Sequence, residues 1–166
     1  MKSRFKYIGV DPGVGGGMAV ISETGRIKAY KCPSTSDEMA LLFQISIGET
    51  APENVKFLME RVWARPANAV RAAFTYGVNY GQWLGIASSH EIEVNTVLPL
   101  QWMKAVGCPK SLKKNIRKNW LKDKARKLYP KLNKLTLATS DAILITYYAR
   151  KEHFNDKEKS NISKTK

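Results

Sequence analysis

Three carboxylates constrain this chain more than any other feature, because each stands in a segment that otherwise reads as core secondary structure. Asp11 closes the run FKYIGV, Glu60 follows VKFLM, and Asp141 opens the stretch DAILITYYA. Moving a carboxylate out of water is costly unless it meets a cation or a set of hydrogen-bond donors. A foldable sequence keeps three such residues only where the fold supplies that partner. They lie far apart along the chain, so they act together only if strand and helix ends converge on one place. No Cys or His cluster accompanies them. Three carboxylates without soft ligands are a donor set for Mg²⁺, with Mn²⁺ as its substitute.

The second constraint is charge. Lys and Arg number 28 against 14 Asp and Glu, a net charge of +14, and eleven of the basic residues fall between Lys110 and Lys134 with only Asp123 opposing them. Such a stripe attracts polyanions and speeds their encounter. It also carries Trp120 and Tyr129, which favours nucleic acid over a merely solvated helix face. Lys110, Lys113, Lys114, Arg117, Lys118 and Lys124 are the candidate phosphate contacts. Acids inside and bases outside are what a metal-dependent nuclease requires. At 43% hydrophobic and 25% charged residues, the chain has the composition of a globular domain, not a disordered one. No window approaches the apolar length of a membrane span. MKSRF leads straight into a strand-like run with no signal peptide, so a cytoplasmic, non-secreted protein is expected. Cys32 and Cys108 read as reduced, small buried thiols.

Residues 5–10 are rich in aromatic and β-branched types and stop at Asp-Pro-Gly, a turn signal. Strands over 18–22 and 26–31 follow, joined at Thr24-Gly25. Ser36, ahead of Asp37 and Glu38, caps a helix over 37–47. Residues 55–62 form a strand buried on both faces, 68–88 a long helix, and the alternating 91–97 a fifth strand. A short helix over 99–105 puts Trp102 on its apolar side, and apolar spacing from Leu112 to Leu128 predicts another helix ended by Pro130. The last helix spans about 139–151. Residues 1–151 therefore form one α/β domain, with 152–166 a polar, disordered tail. Three meander strands, a helix, a buried strand, a helix, a fifth strand and closing helices give a mixed five-stranded sheet with helices on both faces, the ribonuclease H-like architecture. Its strands one and four are neighbours, which places Asp11 beside Glu60, and its last helix presents Asp141 to both.

Each acid also has a plainer explanation. Asp11 caps the turn after strand one, although Gly13, Gly15, Gly16 and Gly17 beside it let a phosphate backbone approach. Glu60 pairs with Arg61 or Arg65 in a structural ion pair. Asp141 favours the dipole at the start of its helix. Taken together, the three are better explained by a shared site.

Six segments in order, YIGVDPGVGGGMAV, LMERVWARP, FTYGVNYGQWLG, LPLQWMKAVG, KDKARKLYP and SDAILI, resemble the RuvC-like Holliday-junction resolvases, in particular the branch of bacteriophages, poxviruses and chloroplasts. The resemblance covers about residues 6–150. It implies a homodimer that nicks opposed strands of a four-way DNA junction with Mg²⁺, two ions per site, and a phage-encoded protein in bacterial cytoplasm. It places the family's acids on Asp11, Glu60 and Asp141 and its active-site lysine on Lys122. Asp11 then bridges the ions, Glu60 and Asp141 flank it, and Lys122 offsets charge growing on the phosphoryl group. Relatives often carry a further acid or His just upstream of Asp141, where this chain has Leu137 and Ala138. That departure weakens the second metal, is made good by Ser140 or water, or reflects a natural or introduced inactivating change.

Gly77, Gly81 and Gly85 line one side of the long helix. Each costs about 1 kcal/mol of helix propensity relative to alanine, so a compensating close contact is expected. That contact is either the helix's own sheet or, as the resemblance implies, a dimer interface with Trp83, Phe74 or Tyr80 as anchors. Trp63, Arg65 and Arg71 are candidates for the junction centre, where unstacked bases meet an aromatic ring. Two rival readings stand beside this one: a DNA-binding protein that has lost catalysis, and an actin-like ATPase, whose fold is duplicated and needs roughly twice this length.

Overall fold

The computed structural model describes residues 5–61, 63 and 69–163. Five strands, β1 (Lys6–Asp11), β2 (Gly17–Ser22), β3 (Ile27–Lys31), β4 (Val55–Glu60) and β5 (Val94–Val97), form one sheet in the order β3-β2-β1-β4-β5. β1 pairs antiparallel with β2 and parallel with β4, and β4 pairs parallel with β5. The helices are α1 (Ser36–Ile47), α2 (Val70–Ser89), α3 (Pro99–Ala105), α4 (Lys114–Leu128) and α5 (Leu137–Ser163). The expected ribonuclease H-like α/β architecture is the one observed. No helix among the described residues is long and apolar enough to cross a membrane.

Side chains alternate across a strand, and that alternation divides the core in two. Ile8, Val10, Met18, Val20, Phe57 and Met59 face α1 and α2, where Met39, Phe43 and Trp83 are buried with them. Ala19 and Leu58 face the other way, onto Trp102, Leu121, Ala125 and Ile143 of α3, α4 and α5. Asp11 lies two residues beyond Gly9, and Glu60 two beyond Leu58. Both acids therefore belong to the face that α5 covers.

Gly9 sets how closely α5 lies on β1. A Cβ there would overlap Thr146 Oγ1 and the Ala142 carbonyl. Thr146 Oγ1 in turn donates to Ala142 O at 2.6 Å and to Ala19 O at 3.2 Å. Five residues back from Thr146 along α5 is about 7.5 Å, and two residues on from Gly9 along β1 is about 6.6 Å. Those steps bring Asp141 to the Asp11 end of the sheet.

Several boundaries differ from the sequence reading. The cap of α1 is Thr35, not Ser36: Thr35 Oγ1 accepts the Glu38 N–H and Glu38 accepts the Thr35 N–H, a capping box. β5 begins at Val94, because Glu91 takes φ 58° and Ile92 N–H returns to Ala87 O to end α2. The helix expected to stop near 151 continues to Ser163. Its continuation is not a detached tail: His153 and Phe154 pack on Phe5 and Tyr7, and Tyr7 Oη lies 2.9 Å from His153 Nδ1. Cys32 is buried as expected, whereas Cys108 is partly exposed; both are free.

Candidate active site

Val10 of β1 pairs with Met59 of β4, so the next residues, Asp11 and Glu60, end adjacent parallel strands. Asp141, one turn into α5, completes the cluster. Burial raises the Asp11 carboxyl well above its ordinary range, and the charges of Asp141 and Glu60 raise it further. Glu60 is pushed up to about 7, chiefly by burial and also by Asp141. Asp141 is likewise raised by burial. Each carboxylate thus sits where a negative charge is disfavoured, and Asp11 senses both of the others.

Glu60 has a partner that sequence reasoning did not assign to it. Trp102, fully buried on α3, donates its indole N–H to Glu60 Oε2 at 2.7 Å. Arg61 is exposed and its backbone N–H bonds Val97 O at 2.7 Å; Arg65 lies outside the described residues. A signal was present in the sequence: a tryptophan on the apolar side of a helix still carries an N–H that needs an acceptor. Ser140 Oγ, also buried, reaches Asp141 Oδ1 at 3.3 Å and Leu137 O at 3.1 Å. It orients Asp141 and lowers its pKa somewhat.

The cations acting on the cluster come from α4. Lys118 offsets the shifts of Asp11 and Asp141, and Arg117 those of Glu60 and Asp141. Lys122, expected to offset charge on the phosphoryl group, is half-buried one turn further along α4 and is not among the principal charges felt by any of the three acids. Lys113, Lys114 and Lys110 are exposed and Lys124 is half-buried.

The loop after Asp11 is clamped by α2. Gly13 takes φ +116° and a Cβ on it would strike the Tyr76 ring, while its N–H donates to Asn79 Oδ1 at 2.7 Å. Asn79 is itself buried, and its Nδ2 donates to Cys32 Sγ at 3.2 Å. The glycines after Asp11 therefore serve internal packing more than phosphate approach. Gly16 and Gly17 lie against backbone carbonyls, and Gly15 alone of the set opens onto empty space. Neither Tyr76 nor Asn79 stood out in sequence; an amide amid the glycine-spaced apolar helix was the available sign.

Trp63 is 55% exposed. Arg71 is exposed on the first turn of α2, where it lines a shallow depression with Val14 and Tyr76 beside the Asp11 loop. Trp83 is not an interface anchor: it is fully buried in the core between α2 and the sheet. Gly77, Gly81 and Gly85 face the other way, exposed, and no other described residue lies near the place of a Cβ. Packing against the chain's own sheet does not account for them. Phe74 and Val78, 73% and 45% exposed, lie on the same helix.

The donor chemistry of the three acids fits a hard divalent cation, since buried like charges are relieved by one. Among the described residues, however, no three acid, His or Cys side chains converge closely enough to hold an ion as they stand. Trp102 holds Glu60, and Ser140 holds Asp141.

No protein-family model and no curated protein matches the chain. Among solved structures it is similar to Thermus thermophilus RuvC, at 16% identity and a TM-score of 0.53 over 89% of this chain and 97% of that one. It is also similar to T. thermophilus RuvC in complex with Holliday junction substrate, at 14% identity and a TM-score of 0.56 over 86% and 90%. The chain has the RuvC-type ribonuclease H-like fold.

Proposed function

We propose that this chain of RuvC-type fold is a structure-specific DNA endonuclease that resolves four-way junctions by paired nicking of opposed strands, acting as a homodimer with Mg²⁺. The observation that carries the reading is the trio Asp11, Glu60 and Asp141, gathered at one end of the sheet, where burial raises all three and neighbouring carboxylates raise Asp11 and Glu60 further. The likeness to a RuvC bound to a Holliday junction and the net charge of +14 support branched DNA as the substrate. Assignment to the phage, poxvirus and chloroplast branch rests on the six ordered motifs.

Divalent metal, when bound by Asp11, Glu60 and Asp141, would supply an activated water and stabilise the leaving oxygen of a phosphodiester. The protein's own contributions are positional. Trp102 and Ser140 orient two of the acids, Asn79 and Tyr76 hold the loop after Asp11, and Arg117 and Lys118 bring positive charge to where the phosphate must lie. The exposed bases of α4 hold the flanking DNA backbone. Incubating the protein with a labelled four-way junction and Mg²⁺ tests this. Wild type is expected to leave symmetrically paired nicks, and Asp11→Asn none, with junction affinity within a few-fold. Equal cleavage by Asp11→Asn refutes the site.

One observation favours a second reading. The acids do not converge as they stand, and Leu137 and Ala138 occupy the positions upstream of Asp141. A junction-binding protein without catalysis would bind tightly in that assay and leave the DNA intact.

A further inference from the structure

α3 presents different residues to two places. Trp102 turns inward to Glu60, while Leu100, Met103 and Lys104 line a cavity of about 370 Å³ whose far side is formed by the loop at Cys108 and by α4. Leu100, Met103 and Cys108 make its walls apolar, and Lys104, Lys110 and Arg117 make it basic. Arg117 belongs to the reaction centre as well, since its charge acts on Glu60, Asp141 and the Cys108 thiol. The cavity and the acid cluster are therefore neighbours that share one guanidinium.

We propose that this cavity receives an unstacked nucleobase of the strand whose phosphate lies at Asp11, Glu60 and Asp141. The inference rests on the endonuclease reading above and adds a base-binding site to it. A polynucleotide threaded past Arg117 offers one kind of group that is both flat and largely apolar, the base, and a phosphate on each side of it. An apolar slot among three cations matches that alternation. Extraction of a base costs a few kcal/mol in paired duplex and less where pairing or stacking is already interrupted, as at a branch point. Among the described residues that line the cavity none is aromatic. The base is held there by apolar burial and by flanking phosphate contacts, not by a stacking platform.

The absence of a ring makes the site readable, because 2-aminopurine brightens when it leaves the stack and is not requenched by an aromatic neighbour. Four-way junctions carrying one 2-aminopurine at each position around the branch point would be titrated with protein in EDTA. One position is expected to brighten about threefold or more with wild type, as for an extruded base. Leu100→Glu, at a residue 74% exposed and so tolerated by the fold, places an acid among the cations. Met103→Trp fills the slot and adds a quencher. Both are expected to abolish the brightening while circular dichroism stays unchanged, and with Mg²⁺ to flatten any preference for the base at that position. A protein that cuts junctions while no position brightens, or whose brightening survives both variants, overturns the base site alone. A protein that neither binds nor cuts junctions overturns the functional reading and the base site with it.

Discussion

Trp102 donates to Glu60 at 2.7 Å across 42 residues of sequence, and this hydrogen bond ties α3 to the acid cluster. It lowers a carboxyl that burial and Asp141 otherwise raise. Trp102→Phe keeps most of the packing and removes the donor. Glu60 should then titrate above about 7, so the acid limb of the rate–pH profile moves to higher pH. The metal-free protein should also lose about 1–3 kcal/mol from the unpaired buried group and the smaller ring. Parallel pH–rate and urea-unfolding measurements check both; an unmoved acid limb contradicts the role given to the indole.

The cluster also makes stability depend on pH. Glu60 is raised from 4.5 to about 7 in the folded chain, and Asp11 and Asp141 are raised too. The folded state therefore binds protons that the unfolded state releases. Stability from this source is full below about pH 4 and is lost as pH climbs through the folded values. The melting temperature of metal-free protein should fall between about pH 4.5 and 7 on this account. Glu60→Gln should flatten the upper part of that fall, and millimolar Mg²⁺ should raise the melting temperature most at the high-pH end. A thermal-shift series with and without EDTA measures it.

Asn79 holds the loop that carries Asp11. Asn79→Leu conserves volume but leaves the buried Gly13 N–H without its acceptor, at a cost of about 1–3 kcal/mol. Nicking should fall more than junction affinity, and Mn²⁺ binding measured by calorimetry should weaken. Asn79→Asp, which keeps an oxygen acceptor, should recover part of both. A variant that loses stability but keeps wild-type nicking and Mn²⁺ affinity would show a purely structural residue.

The exposed glycine side of α2 separates folding from assembly. A leucine at Gly81 meets open space in the single chain, and helix propensity improves by up to about 1 kcal/mol. Gly81→Leu should keep the wild-type circular dichroism spectrum, yet appear monomeric by light scattering and produce single rather than paired nicks. A Gly81→Leu variant that still dimerises would falsify this placement of the interface.

The order and kind of the elements were legible in sequence because they depend on local periodicity. Alternation in FKYIGVD and VKFLME puts Asp11 and Glu60 on one face of the sheet, and a parallel β1–β4 pair then makes them neighbours. Partner choice was not legible. Whether Trp102, Arg61 or Arg65 meets Glu60 depends on how α3 docks, and whether Lys118 or Lys122 reaches the acids depends on how α4 is rotated about its axis. Trp83 and Gly81 lie two residues apart on α2, yet the first is core and the second faces open space. Periodicity leaves such a helix two candidate faces when glycines line one side and aromatics punctuate both. The continuation of α5 past residue 151 was hidden for the same reason: its polar composition reads as tail, and only the packing of His153 and Phe154 on Phe5 and Tyr7 gives it a surface to cover. Local sequence determined which elements form and which residues alternate. Docking angles, fixed by side chains distant in sequence, decided which of those residues meet.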